Sequence, residues 1–301
     1  MKINPALPEV HRSLGRYYMF TGKSAEAEKC FLTAIKYNPK YAVGYRTIGW
    51  LKRSFGQYQE ALTWARKSLE LAPTDLETLL LLSLIHMDER RFTVAISTLQ
   101  RAIELGPDYG RAYYNLGAVY MKLGVFDVAL ENLIQAAKFK GDPNCYLDAG
   151  YVHMVTGKLP EACSAIENSI NAGYFLFASH YYLGFVLGLM GKHEQAAEQY
   201  RTVVVLTELS DGTVSPDLNY QGFRALALIG LGKREEAAAM LDRLEIEAAH
   251  AGEVLANVAR GWALLGDPTR SRSVMERAVV AFWGPTEKEL APDPHFASLG
   301  K

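Results

Sequence analysis

The sequence predicts an all-α fold of about eight helical hairpins that repeat every 34 residues. Three observations predict it. Prolines recur at one step, at Pro5, Pro39, Pro73 and Pro107. A small residue recurs at the same step, at Ala27, Ala61, Ala95 and Ala129. Apolar residues inside each unit follow the three-and-four spacing of amphipathic helices. Because one hairpin cannot bury its own apolar face, stacked copies must form the core.

The unit at 110–142 shows the pattern most clearly. Tyr113, Leu116 and Tyr120 mark one face of its first helix, and Gly124 lies in the turn that follows. Small residues at Gly117 and Ala129 stand where the two helix axes must approach closely. We expect a larger side chain at Ala129 to force the helices apart.

Composition limits the class of protein. The chain has 301 residues, of which 49% are hydrophobic and 22% charged, typical of a folded domain. Its formal net charge of −1 argues against non-specific nucleic-acid binding. There is no signal-like start and no apolar run of about 18 residues. Three cysteines without a CxxC pair favour a reducing compartment. We therefore expect a cytoplasmic chain without membrane insertion.

The repeat register divides the chain into five parts. It predicts the end of a truncated repeat or a cap at 1–7, six repeats at 8–210, an insertion at 211–217, two degenerate repeats at 218–285 and a capping tail at 286–301. The first part resembles the last residues of a repeat whose helices are missing, so we expect the chain to be a piece of a longer one.

These recurring positions resemble the tetratricopeptide repeat (TPR) family. The resemblance implies a right-handed α-solenoid whose first helices line a concave groove that binds other proteins. The C-terminal Asp293-Pro294-His295-Phe296, followed by Leu299, is similar to the end of some bacterial repeat arrays fused to kinases, cyclases or transcription regulators. The alternative is a capping segment whose Phe296 and Leu299 cover the last helix pair.

No pattern in the sequence indicates catalysis. It lacks a phosphate-binding glycine loop, a His-Glu-x-x-His metal pair and a nucleophile elbow. Four histidines (His11, His86, His153 and His180) stand where other repeats have tyrosine, as packing residues would. His295 lies near a loop without partners at metal-ligand spacing. We expect no enzyme activity, no cofactor and no metal site.

Positions two, five, six, nine, twelve and thirteen of each first helix should face the groove. In the first six repeats they include the candidate partner-binding residues Arg12, Arg16, Arg46, Trp50, Arg53, Arg111, Tyr114, Asn115, Lys122, Tyr151, Tyr181, Tyr182 and Phe185. A cationic end followed by an aromatic middle fits a protein or peptide with an acidic and an apolar segment. The alternatives are ordinary solvated charge for the arginines and mutual packing for the aromatic residues.

Three functions fit these features. The sequence favours a non-catalytic scaffold for protein–protein interaction. In chaperone-binding TPR proteins a Lys/Asn/Asn/Lys/Arg set clamps a carboxylate, but here only Asn115 keeps such an identity, so that clamp is absent. The first alternative is the regulatory or sensory region of a larger kinase, cyclase or glycosyltransferase. The second is a structural module that self-associates through an exposed end repeat.

Overall fold

The computed structural model describes residues 7–173, 175–209, 212–280 and 292–296. These residues form sixteen α-helices and a 3-10 turn at Pro294–Phe296, with no strand among them. The helices are α1 (Pro8–Phe20), α2 (Ser24–Tyr37), α3 (Ala42–Ser54), α4 (Tyr58–Leu71), α5 (Leu76–Asp88), α6 (Phe92–Leu105), α7 (Gly110–Lys122), α8 (Phe126–Lys138), α9 (Asn144–Val155), α10 (Leu159–Asn171), α11 (Leu176–Leu189), α12 (His193–Leu206), α13 (Leu218–Gly230), α14 (Arg234–Glu247), α15 (Gly252–Leu265) and α16 (Pro268–Val280). The predicted all-α fold of about eight helix-turn-helix repeats is confirmed.

Consecutive helices pair into hairpins, and we call the odd-numbered members A helices and the even-numbered members B helices. The chain divides into two compact units, Met1–Leu116 and Gly117–Lys301, with the division inside α7. Unit 1 holds the first three hairpins and the start of α7. Unit 2 holds the end of α7, the remaining helices and the C-terminal turn.

The turn between the two helices of a hairpin needs a left-handed residue. Seven hairpins place glycine there, with φ between 70° and 82°, at Gly22, Gly56, Gly124, Gly157, Gly191, Gly232 and Gly266. In the third hairpin Arg90 adopts the same conformation, with φ of 57°. The backbone N–H of Arg91 then donates to the carbonyl of His86 at 2.8 Å, which closes the end of α5. The turn geometry is therefore retained where the glycine is missing.

The periodic small residues mark close helix contacts. A Cβ atom added to Gly117 would lie 3.0 Å from Cγ of Leu133 and 3.2 Å from the carbonyl oxygen of Ala129. Ala129 and Leu133 have no exposed surface. The backbone of α7 thus lies directly on α8, as the small residues at these two positions predicted.

The connection between α12 and α13 runs from the end of α12 at Leu206 to the start of α13 at Leu218. The side chain of Asp217 begins α13 as an N-cap, accepting two backbone N–H groups at 2.8 and 3.3 Å. Arg224 of α13 donates to the Glu208 carboxylate at 3.0 Å. These contacts fix both ends of the connection to unit 2.

The C-terminal turn returns to the helices of unit 2. Phe296 is 7% exposed and belongs to the hydrophobic cluster of α13–α16 that includes Leu255, Trp262 and Val274. Leu299 lies outside the described residues. Across the described parts of the chain, every helix is too short or too polar to cross a lipid bilayer.

Candidate peptide-binding face

Side chains from three A helices of unit 2 converge on the C-terminal residues Asp293–Phe296, which we call the tail segment. Tyr151 comes from α9, Tyr181 and Phe185 from α11, and Arg260 from α15. We call these four residues the tail clamp. Because A helices stack side by side, residues far apart in sequence reach one four-residue segment.

Asp293 is the charged anchor of the tail segment. Its carboxylate accepts from Nε of Arg260 at 2.9 Å and from the Tyr151 hydroxyl at 3.2 Å, and its side chain has no exposed surface. Burial alone raises the pKa of Asp293, but His295 and Arg260 outweigh it and hold the pKa well below its ordinary value. The Asp293 carboxylate is therefore ionised and its charge is matched by a buried guanidinium.

His295 lies between two rings of α11. Its Nε2 is 2.7 Å from the Tyr181 hydroxyl, and its ring stacks on Phe185 with centroids 3.6 Å apart. Its Nδ1 is 2.5 Å from Oδ1 of Asp293. Burial lowers the pKa of His295, although the nearby Asp293 carboxylate opposes that change. A neutral imidazole has one donor and one acceptor, which suits these two contacts.

A polar cleft of about 220 Å³ adjoins the clamp. Its lining is Met121, Lys122, Leu147, Asp148, Tyr151, Tyr182, Asn219, Phe223, Glu253, Ala256, Asn257 and Arg260. Arg260 donates to the Asn257 side chain at 2.9 Å, which orients the guanidinium between cleft and tail. Besides Arg260 and Asp148, the lining includes Lys122 and the exposed Glu253, which have opposite signs and which we call the rim charges. The cleft thus extends the surface that holds the tail segment.

The predicted aromatic residues are together, but they do not form an open surface. Tyr151, Tyr181 and Tyr182 are 7%, 0% and 8% exposed, and Phe185 is half-buried. Tyr182 packs edge-on against Tyr151 and Tyr181, with centroids 6.0 and 5.4 Å apart. His295 covers Tyr181, so the assignment of Tyr181 to a partner surface stays a prediction.

Three predicted groove arginines of unit 1 are paired within the chain. Arg46 meets Asp75 at 2.5 Å, Arg53 meets Asp88 at 2.6 and 3.1 Å, and Arg111 meets Glu77 at 2.6 and 2.8 Å. Each acid lies 29 to 35 residues from its arginine, about one repeat away. An acidic residue about one repeat away from each arginine was the signal in the sequence that could have indicated this pairing. The expected cationic surface is therefore partly neutralised from within.

The remaining candidates occupy varied surroundings. Arg16 is exposed, and Arg12 is partly buried with a buried Nε that has no hydrogen-bond partner. The Arg53 guanidinium lies 5.5 Å from the Trp50 ring. Asn115 donates to the carbonyl of Arg111 at 2.8 Å, Tyr114 is half-buried, and Lys122 lines the cleft of unit 2. The assignment of these residues to a partner surface stays a prediction.

Residues of the last two repeats were missed as site residues. Asn219, Phe223, Glu253, Ala256, Asn257 and Arg260 stand at the same predicted inward positions of repeats seven and eight, and all line the cleft. The repeat register, if it had been extended past the insertion at 211–217, would have identified these six residues. Nothing in the sequence indicated that Asp293 and His295 bind these helices.

The fold and the face together define a helical-hairpin repeat protein that holds a short peptide segment against its A helices. Tetratricopeptide repeat models match residues 8–41, 45–75, 110–143 and 219–243, and a TPR repeat model matches residues 84–124. The chain belongs to the tetratricopeptide repeat family.

Solved structures share this fold at low identity. A tetratricopeptide repeat protein from Parabacteroides merdae is 15% identical, with 83% of this chain and 97% of that chain covered and a TM-score of 0.61. The pilF protein of Pseudomonas aeruginosa is 18% identical, with 72% and 96% covered and a TM-score of 0.59. At these identities the likeness shows the fold alone.

One curated relative is similar over part of the chain. It is a probable UDP-N-acetylglucosamine–peptide N-acetylglucosaminyltransferase, SPINDLY, of Hordeum vulgare. The two are 32% identical over an alignment of 125 residues, and the match covers 37% of this chain. The matched part spans only 13% of the length of that relative.

Proposed function

We propose that the chain is a non-catalytic protein-interaction module that binds a peptide segment on the A-helix face of unit 2. One observation carries the proposal: this face already holds the tail segment through side chains of three A helices. Arg260 pairs with its carboxylate and Phe185 stacks on its imidazole. The same groups suit a partner with an acidic and an aromatic residue.

The hydrogen-bonded series Asp293, His295 and Tyr181 has the order of a carboxylate, a base and a hydroxyl, as in a nucleophilic site. The burial of these three residues favours a structural role for the series. Tyr181 has no exposed surface, and burial raises the pKa of its hydroxyl well above the ordinary value. A hydroxyl that no substrate reaches and that resists deprotonation is a poor nucleophile. This supports the non-catalytic assignment.

Charge exchange at the rim of the cleft tests the proposal. Lys122→Glu combined with Glu253→Lys inverts both rim charges and leaves net charge unchanged. A matched control is Lys233→Glu combined with Glu236→Lys, an exposed ion pair of α14 with a separation of 3.6 Å. Purified wild-type chain and both double variants are used for affinity capture from an extract of the source organism, with identification by mass spectrometry.

We expect wild type and the α14 control to capture the same protein, and the rim variant to capture at least tenfold less. The captured protein is then titrated against all three chains by isothermal calorimetry. Equal affinity of the rim variant and the control would contradict a site on this face. So would the absence of any protein enriched over an unrelated bait.

A second candidate is the partner-binding region of a larger enzyme. The similarity to the SPINDLY glycosyltransferase favours it, as does the resemblance of the tail to arrays fused to enzymes. Reading the source gene beyond both ends of this sequence tests it. A catalytic domain in the same reading frame is the expected result, and stop codons directly at both ends would contradict it. Self-association stays a prediction that light scattering over a concentration series would check.

A further inference from the structure

The tail clamp contacts the tail segment through specific side-chain interactions, as an interaction site contacts a bound peptide. Each tail group meets a different clamp group: the Asp293 carboxylate meets Arg260 and Tyr151, and the His295 ring meets Tyr181 and Phe185. The contacts come from side chains of separate helices. Asp293 and His295 are each 2% exposed, so the helices enclose them almost completely.

The tail segment also places a carboxylate against a cation, with Asp293 Oδ2 at 2.9 Å from Nε of Arg260. A cap that covers apolar helix ends needs apolar residues, as Phe296 supplies. Asp293 instead neutralises Arg260, a residue that is 8% exposed and that also lines the polar cleft. A buried cation without its carboxylate is costly, so the clamp requires an anionic group at this place.

We propose that the tail clamp is a recognition site for a partner segment that carries a carboxylate and, within three residues, aromatic rings, and that the tail segment occupies it in cis until such a segment displaces it. This inference rests on the proposed function and adds the chemistry of the partner and its regulation. The occupant is a segment of another protein with the pattern Asp-x-ring-ring, where the first ring is an imidazole or an aromatic side chain.

Competition within one chain predicts a measurable difference in affinity. A tethered segment acts at an effective concentration of about millimolar, so it weakens an untethered ligand of the same chemistry. A tail that has lost its anchoring groups no longer competes. The untethered ligand should then bind more tightly, although nothing on the clamp has changed.

The probe is a synthetic peptide of residues 290–299, Leu-Ala-Pro-Asp-Pro-His-Phe-Ala-Ser-Leu, labelled with a fluorophore. Its anisotropy is measured with wild-type full-length chain and with the full-length Asp293→Ala/His295→Ala variant. We expect the variant to bind the probe at least tenfold more tightly. A control peptide with the same two positions changed to alanine should bind neither chain. Equal affinity of the probe for both chains, or binding of the control peptide, would overturn the proposal.

A second measurement uses the wild-type chain, in case the double variant folds poorly. Chain labelled with ¹⁵N-histidine is titrated with unlabelled probe peptide, and the His295 resonance is assigned with a His295→Ala chain. Displacement should move the His295 amide resonance to its position in a disordered segment. An unchanged resonance in millimolar peptide would overturn the proposal.

The two tests separate this inference from the proposed function. If the probe peptide fails in both measurements but affinity capture still yields a protein sensitive to the rim charges, the module binds through the cleft and the tail is a cap. If capture fails while the probe displaces the tail, the site recognises only its own segment. In that case the proposed function is wrong, and so is the partner that this inference assigns, although the clamp does exchange its segment.

Discussion

The rings of Phe185 and His295 stack nearly parallel, with centroids 3.6 Å apart and planes inclined by 11°. These residues are separated by 110 positions in the sequence, yet they form the centre of the contact between α11 and the tail segment. The imidazole is also hydrogen-bonded at both nitrogens, to Tyr181 and Asp293. One histidine of the tail thus joins an aromatic surface to a buried ion pair.

The buried ion pair between Arg260 and Asp293 should control tail docking. Arg260→Met leaves the Asp293 carboxylate buried without its cation, which costs about 3–5 kcal/mol if the tail stays bound. We therefore expect the tail to detach and the midpoint of thermal unfolding to fall. Adding Asp293→Asn removes the unmatched charge and should restore part of the loss. Circular dichroism measures the midpoints, and a double variant less stable than Arg260→Met would contradict this account.

Acid should release the tail segment. His295 faces Asp293, Arg260 and Tyr181, and burial lowers the pKa of His295 in the bound tail. A released tail has the ordinary histidine pKa of about 6.5, so protons bind the released form preferentially. Docking is fully favoured above that pH and weakens as pH falls below it. The lowered pKa of Asp293 acts in the same direction below about pH 4.

The His295 amide resonance of ¹⁵N-histidine-labelled chain, followed from about pH 7.5 to about pH 5.5, measures this release. His86 and His153 also have lowered pKa values from burial, so a global unfolding signal is not specific for the tail. A His295→Gln chain serves as control, with tail release followed by hydrogen exchange corrected for the intrinsic pH dependence. Tail release with the same pH dependence in wild type and control would assign the effect to other groups.

The arginine pairs of unit 1 should differ in their contribution to stability. Asp88 accepts two hydrogen bonds from Arg53, and the side chains are 1% and 14% exposed. Arg53→Met should destabilise unit 1 by about 3 kcal/mol because the acid stays buried. Arg111 and Glu77 are 47% and 38% exposed, so Arg111→Met should cost at most about 1 kcal/mol. Thermal unfolding of the two variants compares them, and similar losses would contradict the distinction.

The close approach of α7 and α8 should not tolerate a larger residue. Ala129→Leu adds three carbon atoms to a position without exposed surface, beside the backbone of Gly117. Overpacking of this kind costs about 1–3 kcal/mol. Ala239→Leu on the exposed side of α14 is the matched control and should change stability by less than about 0.5 kcal/mol. Equal midpoints of urea unfolding for the two variants would show that the helix pair can separate without cost.

Much of the fold could be predicted from the repeat period. A step of 34 residues, with small residues at one register, fixed the hairpins, their close contacts and their turns. Local chemistry is enough here because each helix is specified by apolar spacing and each turn by a left-handed residue. Even Arg90, which breaks the glycine pattern, follows the turn of its neighbours.

The same register indicated a face of the A helices and could have been extended to repeats seven and eight. It could not show what covers that face. Arginines predicted for a partner are paired with Asp75, Asp88 and Glu77 of the same chain, because stacking places successive repeats side by side. The residue pattern of one A helix does not show which charged side chains of the neighbouring repeat lie beside it.

By itself the sequence determined an all-α repeat protein of the tetratricopeptide class, and it predicted which residues of the A helices meet a partner. Only the tertiary structure decided that Asp293 and His295 pack against the A helices of unit 2. Their contacts with Arg260 and Phe185 join residues 33 and 110 positions apart, and such contacts follow from how helices stack, not from any periodicity. The contact between the tail segment and the tail clamp is therefore determined by tertiary packing, whereas the repeats are determined by the local sequence pattern.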